Sequence, residues 1–383
     1  MKGQYKLIIL MITFPILSSC NQKIETHNYI SSHKMSLSKD KRIYLDDSTV
    51  QSTTYLQYFS IKNKNLLAFI NEYDNSIIIN DLETGELYKK IHFEKEGNNG
   101  IGTLRAFYLS DDTIYLFNYW NQMLYITNIN GEVLKNKIID LNTYISNINI
   151  PTILPRTLSP IYKIDNNLIL SGFTSTEKDD ENDSNTPTTV IYNIKNDSIH
   201  LINSFPPIYH TGFWGGDLNH RGIRYTIGKK KEMVISYSVD EYIYTIDSTI
   251  HKKKYYAGGI NHTKKIKPIS KNRNPNSYNQ EDLIEHYMNN ITYGGILFDK
   301  YREVYYRICL NPNNNYSKQD IILRKPASII ILDINFKKIG ETFIPKYEYD
   351  ISSCFISPEG LHIRVESDDD DIMTFKTFKL EQI

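Results

Sequence analysis

The sequence has 383 residues, with 44 Lys and Arg balanced by 44 Asp and Glu, so its formal net charge is zero. A neutral chain lacks the basic face of a general nucleic-acid binder, and the length is enough for one large domain or two ordinary ones. Thirty Tyr and fifteen Phe, with abundant Ile and Asn, favour strands and turns over helices.

The first element is an apolar run, Leu7 to Leu17, behind Lys2 and Lys6. It is too short to cross a bilayer, which needs about twenty residues, but it suits the core of a secretory signal. The run ends in Leu17-Ser18-Ser19-Cys20. Those four residues resemble the lipobox of bacterial lipoproteins, which implies cleavage before Cys20 and lipid on its thiol and amine. Residues 1–19 are thus expected to be a signal peptide and 20–40 a lipidated flexible tether. Two or three long chains anchor a protein almost permanently, since each buried methylene contributes about 0.8 kcal/mol. Asn21 stands where an aspartate would resemble an inner-membrane retention signal, and Gln22 to Glu25 is not an acidic run. The expected address is therefore the cell envelope, at the outer membrane and on its periplasmic face.

From residue 41 onward one unit recurs: an apolar strand, a polar turn and a second strand. It stands at Ile77–Leu87, Leu124–Val133, Thr189–Ile199, Tyr242–Ile250 and Ile329–Ile339. Alternating apolar residues cover sheet faces, and Asn or Asp near Gly supplies the positive φ of a tight turn. A further strand pair precedes most copies, so each unit holds about four strands, the content of a propeller blade. Copies are unevenly spaced, closest from Ile77 to Leu124 and farthest from Tyr242 to Ile329, so blades carry insertions. Phe355-Ile356-Ser357-Pro358-Glu359-Gly360-Leu361 resembles the Ser-Pro-Asp-Gly turn of TolB-like blades, with Glu359 in place of Asp. The pattern predicts an all-β, six-bladed β-propeller with four-stranded blades, forming one domain over 41–383. Its ring would be closed by an N-terminal strand at Lys41–Asp46 pairing with the last blade, which removes an open sheet edge.

The lipobox, Leu45-Asp46, the Gly97-Asn98-Asn99-Gly100-Ile101-Gly102 loop and the Pro155–Gly172 block together resemble one group. That group is the Bacteroidetes lipoproteins with a six-bladed TolB-like propeller, the domain-of-unknown-function 4221 family. The resemblance covers most of residues 40–380. It implies a fold and an address, and no activity.

Chemistry concentrates between His210 and Arg224, where His210, Trp214, Asp217, His220, Arg221 and Arg224 lie among glycines. The stretch reads as a loop on a propeller face. Trp214 is expected to stack on a sugar or aromatic ligand, and Arg221 and Arg224 to grip a carboxylate; the competing reading is a structural loop. The spacing matches no metal motif. Gly97 to Gly102 opens no helix and reads as an inter-blade turn. Asp368-Asp369-Asp370-Asp371 lacks the ligand spacing of a calcium loop and reads as a hairpin tip. His251–Lys254 and Lys264–Lys267 are expected to flank an exposed polar insertion. The insertion reaches to about Asn279, and after it Glu281–Met288 reads as a short helix with Leu283, Ile284 and Tyr287 on one face. Cys309 and Cys354 sit in apolar strands and read as buried free thiols, with pairing the alternative in an oxidising compartment.

No catalytic set, metal or cofactor is nominated. The expected function is a non-enzymatic binding or scaffold propeller for an envelope protein, peptide or glycan. The alternative is a propeller hydrolase or lyase acting on saccharide or peptide, with His210, Trp214, Asp217, His220 and Arg221 in a pocket near the ring axis.

Overall fold

The computed structural model describes residues 29–141, 152–173, 186–215, 222–260, 266–269, 279–316, 325–344, 349–366 and 369–383. The chain enters through β1 (His33–Tyr44) and then forms antiparallel sheets in succession. The first sheet contains β2 (Leu56–Ile61), β3 (Lys64–Asn71), β4 (Ser76–Asp81) and β5 (Leu87–His92). The second contains β6 (Ala106–Ser110), β7 (Thr113–Asn118), β8 (Met123–Asn128) and β9 (Val133–Ile138). In the third, β10 (Thr152–Ile153) and β11 (Tyr162–Ile164) both pair with β12 (Asn167–Phe173), which β13 (Pro187–Asn193) and β14 (Ser198–Ser204) follow. The fourth contains β15 (Arg224–Ile227), β16 (Met233–Ser236), β17 (Tyr242–Ile246) and β18 (Lys252–Tyr256).

The last sheet is longer. It contains β19 (Thr292–Asp299), β20 (Val304–Leu310), β21 (Ala327–Leu332), β22 (Lys338–Ile344), β23 (Tyr349–Ser357), β24 (Gly360–Val365) and β25 (Ile372–Gln382), and it incorporates β1. Its order is β19-β20-β21-β22-β1-β25-β24-β23. The β22–β1 contact is a single parallel pair, His33 with Gly340, whereas β1 and β25 pair along their length. The sheet therefore has two four-stranded halves, and the chain's first strand completes the second. Together these sheets make an all-β, propeller-like fold.

The recurring unit of the sequence is the last hairpin of a sheet: β4–β5, β8–β9, β13–β14, β17–β18 and β21–β22. The turns work as their residues dictate. Gly85 and Gly131 hold φ of +79° and +87°, and the Asp81 and Asn128 side chains accept from backbone N–H groups of the turn. Gly97 and Gly102 likewise take positive φ in the connection from β5 to β6.

Strand β1 begins earlier than the expected closing strand, so His33–Asp40 belongs to the sheet rather than the tether. The reason it reads as tether is physical: one face of β1 is exposed and carries polar residues, leaving little apolar alternation. Lys252–Lys254, expected to flank an insertion, lies in β18 and pairs with β17. Within the connection from β18 to β19, α1 (Gln280–Asn289) forms where the helix was read. Asn279 and Asp282 cap it reciprocally, and Tyr287 and Met288 are buried. Its last carbonyls receive Lys325, whose Nζ donates to Tyr287 O at 2.8 Å and to Asn290 O. Burial lowers the Lys325 pKa to about 7.

The core lies between neighbouring sheets. One cluster joins the first three sheets, a second joins the third and fourth to β19–β22, and a third links β19–β22 to β23–β25. A fourth, with Ile43, Leu67, Phe69, Met373 and Phe375, joins the β23–β25 half back to the first sheet. Each Ile or Phe so buried contributes about 1.5–3 kcal/mol, and the contacts run all the way round. Cys309 and Cys354 are buried free thiols on different strands. Among the described residues, no helix is long and apolar enough to cross a membrane.

Candidate functional site

The first strands of the sheets meet at the centre. Strands β2, β6, β11, β15, β19 and β23 each contribute to the wall of one cavity of about 450 Å³. At one end, the turns that follow these strands form a rim held by side chains. Lys231 pairs with Asp165 at 3.3 Å, Lys229 pairs with Glu303, and Arg302 donates to Pro358 O at 2.7 Å. The cavity reaches this rim at Lys300 and Tyr301. At the other end, the segment before β11 folds over the axis. Leu56 N donates to Thr157 Oγ1 at 3.3 Å, and Leu158 packs against Gly295.

The wall is apolar surface set with phenols. Tyr58 donates to Asn65 Oδ1 at 2.6 Å and lies 3.3 Å from the Tyr301 hydroxyl. Tyr162 O–H stands 3.2 Å from Thr226 Oγ1, and Tyr225 donates to Pro160 O at 2.6 Å. Gln57 replaces a ladder rung between β2 and β6, since its amide donates to Leu109 O at 3.1 Å and accepts from Leu109 N at 2.9 Å. Burial holds the Tyr58 and Tyr162 phenols above their ordinary pKa, and the Tyr301 hydroxyl adds to the effect at Tyr58. These groups are neutral hydroxyls throughout the physiological range. Lys300 is the one charged residue of the wall among the described residues. An arrangement of aromatic faces, neutral hydroxyls and one cation at the mouth can bind an uncharged ligand and orient it.

The residues singled out in the sequence sit elsewhere. His210 lies in the last turn of a 3-10 helix, Pro207–Thr211, and is half-buried. Trp214 is only 1% exposed and donates its indole N–H to Ile208 O at 3.1 Å. It is a core residue packed near Tyr209, not a stacking platform. Arg224 opens β15 and donates to Ile223 O at 3.3 Å. Burial and the like charge of Arg156 lower its pKa to about 10. None of these three lines the axial cavity, although the next residue, Tyr225, does. Asp217, His220, Arg221 and Cys20 lie outside the described residues. Of the aspartate run, Asp369 to Asp371 lie in the turn before β25, where Asp371 N donates to Asp369 Oδ1. No group of three metal-ligating side chains occurs among the described residues.

Sequence reading missed the cavity wall because its residues come singly from six short strands. The one local signal is an aromatic at or beside each of several first strands, at Tyr58, Tyr108, Tyr162 and Tyr225.

A family model described as a domain of unknown function, DUF4221, matches residues 33–343. A crystal structure of a DUF4221 member from Bacteroides vulgatus superposes with a TM-score of 0.77 at 22% identity, covering 92% of this chain and 99% of that one. A Bacteroides fragilis protein thought to be exported superposes with a TM-score of 0.52 at 13% identity, covering 91% and 95%. No curated relative matches the sequence.

Proposed function

Since the chain belongs to the DUF4221 family, we propose that it is a lipid-anchored, six-bladed binding propeller of the cell envelope whose axial cavity receives one uncharged end of a peptide or glycan. The observation that carries this reading is the wall itself, where tyrosine rings and neutral hydroxyls surround about 450 Å³ open at the Lys300–Tyr301 rim. Phenols bind by ring contact and by single hydrogen bonds, at low conformational cost. The six-bladed reading is supported by the single-pair contact between β22 and β1, which lets β19–β22 and β23–β25 with β1 count as separate blades. The anchor rests on Leu17-Ser18-Ser19-Cys20, and the periplasmic face of the outer membrane on the residues after it.

Calorimetric titration of the full chain with neutral peptides and oligosaccharides tests the binding reading. A saturable heat that Tyr58→Ala removes supports it. Heat unchanged by both Tyr58→Ala and Tyr301→Ala sinks the axial site. Labelling cells with a palmitate analogue tests the anchor: label on the wild type and none on Cys20→Ala is expected, and equal labelling would exclude it.

A further inference from the structure

Away from the Lys300–Tyr301 rim, two turns hold aromatic rings out in solvent. Trp120, between β7 and β8, and Tyr73, between β3 and β4, are each 73% exposed. They occupy corresponding turns of adjacent sheets. A continuous chain of contacts joins them. The Tyr119 ring lies 5.1 Å from Trp120, and the Arg105 guanidinium lies 5.7 Å over Tyr119. Arg105 Nη1 in turn pairs with Glu72 Oε2 at 3.2 Å, beside Tyr73.

Both turns are fixed from below. Trp120 N donates to Asn118 Oδ1 at 3.0 Å, and Gln122 Nε2 donates to Tyr119 O at 2.6 Å. Asn75 Nδ2 donates to Phe93 O at 2.9 Å, and Thr54 Oγ1 holds Glu72 at 3.2 Å. The rings are thus presented by rigid backbone. An exposed indole forgoes the burial that a core position would supply, and the two turns hold theirs out although each is pinned. The Arg105 Nε–H lies buried beneath this surface with no hydrogen-bond partner among the described residues.

We propose that Trp120, Tyr119 and Tyr73, with the Arg105–Glu72 pair between them, form a saccharide-binding platform separate from the axial cavity. A pyranose has a flat C–H face that lies on an aromatic ring and a rim of hydroxyls that both donate and accept. The platform supplies both complements: ring faces, and a guanidinium donor beside a carboxylate acceptor. Because that pair is internally neutral, the ligand is a neutral sugar rather than an acidic one. Two rings on neighbouring sheets call for a chain of more than one residue.

Calorimetry on the full chain in zwitterionic detergent tests the platform, with tetrasaccharides of glucose, mannose, galactose, xylose and N-acetylglucosamine as probes. Saturable binding of one or more is expected. Trp120→Ala should weaken it by at least about tenfold, as loss of an aromatic anchor does. Trp120→Phe, which keeps a ring, should retain most of it, and Arg105→Gln should weaken it. Trp120 is at the surface and the Arg105 side chain is 22% exposed, so circular dichroism is read beside the heats to establish that each variant folds. Tyr58→Ala, in the axial cavity, should leave this binding as it is, which separates failure here from failure of the axial reading. No heat with any probe, or binding that survives Trp120→Ala, overturns the platform. So does binding confined to peptides.

Discussion

Leu158 fills the space that Gly295 leaves by having no side chain: a Cβ on Gly295 would stand 2.8 Å from Leu158 Cδ1. Leu158 lines one end of the axial cavity, and Gly295 backs it from β19, the strand whose next three residues join the wall. Gly295→Ala should therefore push Leu158 off its seat. Overpacking of this kind costs about 1–3 kcal/mol, read as a fall in the denaturant midpoint. Leu158→Ala should widen the same end without overpacking, and should raise the rate at which a bound axial ligand leaves. Unchanged stability in Gly295→Ala would show that Leu158 has room to move.

His362 gives the fold an acid limit. Its Nε2 lies 2.7 Å from Ser357 Oγ and its Nδ1 3.0 Å from Thr377 Oγ1, all buried, with Phe355 stacked on the ring at 4.5 Å. Ser357 Oγ also accepts the Glu359 N–H at 3.1 Å, so this hydroxyl links the turn backbone to the imidazole. The Ser-Pro-Glu-Gly turn is thereby tied to the strand that follows it. Burial lowers the His362 pKa to about 3, against the nearby Glu359, which raises it. The unfolded chain binds this proton near pH 6.5 and the folded chain only near 3, so stability falls as pH falls through that window. The slope is about 1.4 kcal/mol per pH unit for one proton. Unfolding midpoints at pH 7 and pH 4.5 should show this loss in the wild type, and less of it in His362→Gln. An equal slope in both would assign the acid sensitivity to other groups.

Arg307 joins the fourth sheet to β20. It is fully buried, lies 3.9 Å over the Tyr293 ring, and donates to Ser236 Oγ and to the carbonyls of Glu241, Ala257, Tyr237, Asp240 and Tyr242. The turn from β16 to β17 has its carbonyls aimed at this one guanidinium. Arg307→Met should cost about 3–5 kcal/mol, because several buried acceptors lose their donor together. Arg307→Lys keeps the charge but not the planar fork, and should recover less than half of that loss. Thermal unfolding of the three proteins decides it; a methionine variant as stable as the wild type would mean that water replaces the fork.

The strands were legible where the sequence is locally periodic. Ile77–Leu87 and Ile329–Ile339 each give a strand, a turn and a strand because alternation and turn chemistry act within a dozen residues. Strand β1 was legible only from Lys41 on, since its earlier half pairs with β25 through backbone and exposes polar side chains. Trp214 misled for the opposite reason: an aromatic among glycines, histidines and arginines looks like a surface loop, yet the indole is buried and donates to Ile208 O. Of the axial wall the sequence carries only the aromatics beside several first strands. Tyr58, Tyr162 and Tyr301 meet only after closure of a ring, and no local spacing encodes that meeting.

Closure itself rests on β1. Met35, Ile43 and Lys41 turn inward from it, and Lys41 pairs with Glu359 in the turn between β23 and β24. Ile43 is buried against the first sheet as well as against Met373 and Phe375, so β1 holds the first and last sheets together. Ile43→Asp should place a carboxylate in that seam and cost several kcal/mol, on the order of 3–5. Its effect should be local first: amide exchange should quicken in β1 and β25 before it does in β7 and β8. A chain lacking residues up to Tyr44 would leave β25 as an open edge, and an unpaired edge of eleven residues invites pairing with a second copy. Light scattering should then show association that the intact chain does not. If the shortened chain stays monomeric with the same unfolding midpoint, the core clusters hold the ring without β1.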